Sequence, residues 1–140
     1  MGKRHNTVFL SKYMELDKLC CEKFGVNTGG GVIEYINRLS NARFAPGRDE
    51  VLSRLIGYSN THKRFYYEPG AMRGDTQISQ SDINWVIKFK SQVARKRDPV
   101  SRYLRRARGY AFRKKLTGAL WGVLLVAFVA AVIAMIIILK

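Results

Sequence analysis

The side chains able to do acid–base or nucleophilic work are few. The chain has 2 His and 2 Cys among 140 residues. His62 lies in the run Ser59-Asn60-Thr61-His62-Lys63-Arg64, with Tyr67-Glu68 following. An imidazole titrates near neutrality, so this run is the place where a general base would be sought. No recognised partner stands at a recognised spacing: there is no Gly-x-Ser-x-Gly elbow, no zinc-protease pair and no dinucleotide-binding glycine set. Alone, His62 reads as a surface residue. Cys20 and Cys21 are adjacent, which rules out an ordinary disulfide framework between them and suits small core residues in a reducing compartment. With no third Cys, a zinc site has no support, and neither metal nor cofactor is expected. The run Asn27-Thr28-Gly29-Gly30-Gly31 lacks the Gly-Lys-Ser/Thr ending of a phosphate loop and is expected to be a flexible connection between helices. Asp49 and Glu50 sit where a helix start favours negative charge.

The elements that must position these residues read as helices. Val8, Phe9, Leu10, Tyr13, Met14, Leu16, Leu19, Cys20 and Phe24 recur with helical period over residues 7–24, and Gly25 is the expected stop. Val32, Ile33, Ile36 and Leu39 predict a second helix to about Ala42. Pro46 is placed in the first turn of a third, which runs through Val51, Leu52, Leu55, Ile56 and Phe65. Gly70 to Thr76 is read as a loop. Ser79 and Asp82 have capping-box spacing, and Ile83, Trp85, Val86, Phe89 and Val93 follow as a fourth helix. Asp98-Pro99 is a cap and first-turn pair for a fifth. The fold class expected is all-α: a compact bundle of four to five helices followed by one C-terminal transmembrane helix. The expected division is a bundle core at 1–98, a basic amphipathic stem at 99–115 and a transmembrane helix at 116–139.

That last segment is uncharged from Leu116 to Leu139 and spans about 36 Å as a helix, against a hydrocarbon core of about 30 Å. Its place at the end of the sequence suggests a tail anchor. Residues 1–87 hold 12 Lys/Arg and 9 Asp/Glu, whereas residues 88–115 hold 12 Lys/Arg and only Asp98. Basic flanks stay on the cytoplasmic side, so the soluble part is expected there, on a single-pass membrane protein. In the stem, Val100, Tyr103, Leu104, Ala107, Tyr110 and Ala111 form an apolar stripe expected to pack on the bundle. Arg102, Arg105, Arg106, Arg108, Arg113, Lys114 and Lys115 are expected to face anionic lipid, at about 1 kcal/mol per cation near such a leaflet. In the span, Gly118, Gly122, Ala130 and Ala134 are the expected packing positions for a second copy of the chain. Nucleic acid is a less favoured partner, because Tyr103 and Tyr110 lie on the apolar stripe rather than among the arginines.

The stretch from Leu52 to Met72 resembles the central region of HEPN-type helical domains, whose helix carries Arg-Asn followed some residues later by His. The runs Gln77–Trp85 and Arg97–Tyr103 are similar to small bacterial proteins sharing that core. The resemblance covers residues 11–108. It implies an Arg and a His acting on RNA across a dimer. In this chain the register set by Tyr58 and Asn60 puts Ser59 at the Arg position and Tyr67, before Glu68, at the His position. Neither supplies a fixed guanidinium or an imidazole. Arg54 with His62 is spaced too widely for the pattern. The resemblance therefore implies a domain that has lost its nuclease pair, with Asn60 and Glu68 as structural contacts. The function expected is a noncatalytic adaptor, with an unidentified protein partner, on the cytoplasmic face of a bacterial membrane. The alternatives are a membrane-tethered RNA-acting enzyme and a small membrane-active effector or toxin component.

Overall fold

The computed structural model describes residues 2–68, 70–71 and 78–139. Among these, the chain is all-α, with no strand: α1 (Gly2–Phe24), α2 (Gly31–Asn41), α3 (Arg48–Tyr67), α4 (Gln80–Ala94) and α5 (Pro99–Ile138). Of the loop read at Gly70 to Thr76, Gly70 and Ala71 form a turn and the remainder lies outside the described residues. The chain divides into two compact units, Met1–Tyr103 and Leu104–Lys140.

In the first unit α1 is the central helix, packed mainly on α4 and α2, while α3 leans chiefly on α2. Each helix contributes one apolar stripe: Phe9, Tyr13, Leu16 and Cys20 from α1; Val32, Tyr35 and Leu39 from α2; Leu55, Tyr58 and Phe65 from α3; Ile83, Val86, Phe89 and Val93 from α4. The core is aromatic in character. Phe9 meets Tyr58 edge-on at 5.5 Å, Tyr58 meets Trp85 at 5.5 Å, Trp85 stacks on Phe89 at 4.9 Å and Phe89 meets Tyr35 edge-on at 5.3 Å. Such pairs contribute about 0.5–1.5 kcal/mol each beyond the area they bury.

The helix ends have identifiable causes. Gly25 adopts φ 67° and returns its N–H to the Cys21 carbonyl at 2.8 Å, ending α1. The Ser79–Asp82 capping box forms in both directions at the start of α4. The third helix differs from expectation: the residue before α3 is Gly47, left-handed at φ 69°, so Pro46 lies in the preceding turn and not in the helix. The glycine run before α2 also differs, being tied rather than loose. Asp17, on α1, accepts from the Gly29 N–H through Oδ2 and from the Val32 N–H through Oδ1, both at 2.9 Å. This carboxylate caps α2 from another helix, satisfying donors that α2 cannot satisfy itself. Gly31 lets the two helices meet: a Cβ there would lie 2.2 Å from the Asp17 carbonyl oxygen and 2.6 Å from the Cys21 nitrogen.

Candidate functional site

The charged end of the sequence begins at a buried node. Asp98 is 0% exposed. Its Oδ2 accepts from the Tyr35 hydroxyl at 2.7 Å and the Ser101 N–H at 3.1 Å, while Lys23 Nζ pairs with Oδ1 at 3.1 Å and also reaches the Ser101 hydroxyl. Burial works against the ionised carboxylate, but the bonds from Ser101 and Tyr35 and the Lys23 charge outweigh it and hold Asp98 below the usual carboxylate range. Tyr35 is pushed upward, first by burial and then by the neighbouring carboxylate. Asp98 thus caps α5 while fastening its first turn, with Pro99 and Val100 buried, to α1 and α2. The only acid among residues 88–115 is consumed inside the fold.

From Arg105 to Ile138 every residue of α5 is exposed. Arg102 is exposed as well, so the seven cations expected to face lipid, Arg102, Arg105, Arg106, Arg108, Arg113, Lys114 and Lys115, are all at the surface. The apolar stripe of the stem changes in exposure along its length. Val100 is buried and Tyr103 and Leu104 are half-buried, but Ala107, Tyr110 and Ala111 are exposed, with Tyr110 at 73%. Along the stripe, full exposure begins at Ala107. Gly109 does not interrupt α5, which stays helical from Pro99 to Ile138. The Thr117 hydroxyl donates back to the carbonyls of Arg113 and Lys114, so the one hydroxyl of the apolar stretch is satisfied within its own helix. Gly118 and Gly122 have open space where a Cβ would stand, and Ala130 and Ala134 are exposed. One helix among the described residues is long and apolar enough to cross a membrane, and none of its apolar window is buried.

Of the five motif positions, only Ser59 and His62 share a neighbour. Ser59 is buried in the bundle and hydrogen-bonds Tyr13, which burial pushes up to about 12. His62, one turn later on α3, stacks on the same Tyr13 ring at 4.6 Å, and burial lowers its pKa. Asn60 points to solvent. Tyr67 is 76% exposed and meets Tyr66 edge-on, and Glu68 pairs with Arg64 at 3.5 Å. Ser59 and His62 thus serve α1–α3 packing, while Asn60, Tyr67 and Glu68 stay at the surface. Both cysteines are free and buried, with the Cys20 thiol pushed up to about 12 by burial and by Asp17. Among the described residues no group of three His, Cys, Asp or Glu side chains assembles to hold a metal.

The sequence profile of a family of unknown function, DUF6548, matches residues 7–120. The chain belongs to that family. The match covers the bundle from Thr7 onward, the whole basic stem and the first residues of the apolar stretch. No curated protein and no solved structure matches the chain.

Two groups that the sequence reading missed carry much of the fold: Asp17 and the Lys23–Tyr35 pair on Asp98. Their partners are 12 to 75 residues away, beyond the reach of local capping rules. Arg54 over the Trp85 ring at 5.5 Å was equally silent in sequence.

Proposed function

We propose that this DUF6548 member is a noncatalytic adaptor held on a bacterial membrane by one spanning helix, with its bundle in the cytoplasm. The observation that carries the reading is α5, in which an exposed basic stretch passes without a helical break into an exposed apolar stretch of membrane length. The last cations, Arg113, Lys114 and Lys115, directly precede the apolar residues, where headgroup phosphates would meet them. Along the helix Arg102 lies about 20 Å before Lys115, and a charge is screened over about 8 Å, so the cations nearest Leu116 contribute most to lipid contact.

The noncatalytic part of the proposal includes descent from a HEPN-like domain whose Arg and His positions now hold Ser59 and Tyr67. It is supported by the work those positions do: Ser59 bonds Tyr13 in the core, and Tyr67 stands at the surface. Full-length chain in anionic nanodiscs should leave tRNA and single-stranded RNA intact over hours at neutral pH. Cleavage that disappears in His62→Ala would replace the adaptor by the RNA-acting enzyme. Anionic lipid should be enriched around the wild-type chain and depleted when Arg113, Lys114 and Lys115 are changed to Gln; equal enrichment would remove the electrostatic contact.

A further inference from the structure

The uncharged stretch of α5 is longer than a bilayer needs. From Leu116 to Leu139 it runs about 36 Å as a helix, against a hydrocarbon core of about 30 Å, so about four residues are surplus. The two ends of the stretch differ. Ile136, Ile137, Ile138 and Leu139 at the far end are wholly apolar, whereas Thr117, Gly118 and Trp121 lie together beside the cations. The Thr117 hydroxyl is satisfied by the Arg113 and Lys114 carbonyls at 3.0 and 2.9 Å. Trp121 is not: it is 73% exposed, and its indole N–H meets no acceptor among the described residues. A donor without an acceptor is costly in hydrocarbon, while among headgroups ester and phosphate oxygens accept from it. Tryptophan accordingly favours the boundary between lipid and water, its ring on the apolar side and its N–H on the wet side.

The level of the indole follows from helix geometry. A helical side chain leans toward the N-terminus of its helix, over the preceding turn. For Trp121 that turn holds Thr117 and Gly118, and Gly118 puts no side chain in the way. If the hydrocarbon began at Leu116, the Trp121 backbone would lie about 7 Å inside it and Lys115 only about 1.5 Å outside. Tilting such a helix absorbs the surplus length but keeps the indole N–H in hydrocarbon. If the hydrocarbon begins at Leu120, the segment Leu120–Leu139 is about 30 Å long and matches it without surplus. The headgroup layer, about 5–7 Å deep, then surrounds residues 116–119 and the indole, and Lys115 stands at its outer edge. We infer that Trp121 is an interfacial anchor: its indole donates to lipid headgroup oxygens and sets the depth of α5, with residues 116–119 outside the hydrocarbon. The inference rests on the reading of α5 as a membrane-spanning helix and fixes the register of that helix.

The test uses the full-length chain in vesicles of phosphatidylcholine and phosphatidylglycerol. The chain has 2 Trp, so Trp85→Phe leaves Trp121 as the sole emitter. A nitroxide on the lipid headgroup should quench that emission severalfold more strongly than a nitroxide at the middle of the acyl chain. A second measurement keeps Trp85. A membrane-impermeant maleimide, present on both faces of the bilayer, should label Thr117→Cys and Gly118→Cys and not Leu124→Cys, over the background of the buried Cys20 and Cys21 in the unsubstituted chain. Adding Trp121→Leu to Gly118→Cys should lower its labelling severalfold, because the helix sinks once the indole is gone. Stronger quenching from the acyl chain, protection of positions 117 and 118, or unchanged labelling after Trp121→Leu would overturn the anchor and leave a spanning helix standing. Labelling at Leu124→Cys, with Trp121 quenched by aqueous iodide and by neither nitroxide, would overturn both the anchor and the spanning reading.

Discussion

The bundle and the length of α5 beyond Leu104 solve opposite problems with similar residues. In the bundle, apolar side chains vanish behind other helices, and buried polar groups such as Asp17 and Asp98 are saturated with partners. In α5 beyond Leu104, Leu, Ile, Val, Phe and Trp are exposed along the whole helix, Trp121 and Phe128 by more than two thirds. Exposed apolar area on that scale marks a surface suited to a membrane or a partner. The two regions therefore differ in how far their apolar side chains are covered, and only the second is long and apolar enough to cross a membrane. Two glycines show the contrast: Gly31 is required by a neighbouring backbone, and Gly118 faces empty space.

The strongest break in this comparison comes from the Asp98 node. Asp98→Ala would leave Tyr35 and Lys23 without their shared carboxylate, and removing one partner of a buried pair costs about 3–5 kcal/mol. Thermal or denaturant unfolding of the bundle should show that loss. The same node sets a pH dependence. The folded pKa of Asp98 lies below its unfolded value, so its contribution is full above about pH 4 and is lost as the pH falls through the folded value. Unfolding curves between neutrality and acid should show this slope in wild type and a shallower one in Asp98→Asn.

A smaller effect separates the two glycines. Gly31→Ala forces α1 and α2 apart and should cost about 1–3 kcal/mol or more, as overpacking does. Gly118→Ala should leave bundle stability within about 0.5 kcal/mol, as exposed substitutions do. Equal effects at the two sites would contradict the division between a packed unit and an exposed apolar helix. Smaller still is a chemical test: with its pKa pushed up to about 12, the Cys20 thiol should resist alkylation at pH 8 in the folded chain and react on unfolding. Alkylation of folded protein at the rate of a free thiol would mean that the α1–α4 core opens readily.

Periodicity disclosed the stripes of α1, α2 and α4, because burial there follows 3.6-residue spacing around one core. The apolar stretch of α5 was legible by length alone. The stem was legible only as an alignment: Val100, Ala107, Tyr110 and Ala111 share a face, but periodicity does not say which of them is covered. The glycine run was misjudged as loose because its restraint, Asp17, comes from the preceding helix. Ser59 was placed at a motif position by the register of Tyr58 and Asn60, and nothing local indicated that it and His62 share Tyr13, more than 40 residues earlier in the chain, as a neighbour.

The central claim is that α5 crosses a membrane with the bundle on the cytoplasmic side. Protease protection of the full-length chain in native membranes tests it most directly. In intact cells, or in vesicles that keep the cytoplasmic face inside, residues 1–115 should survive external protease, and in inverted vesicles they should be digested. Digestion of the bundle in intact cells would reverse the orientation, and release of the whole chain by alkaline carbonate would show that α5 does not span the bilayer at all.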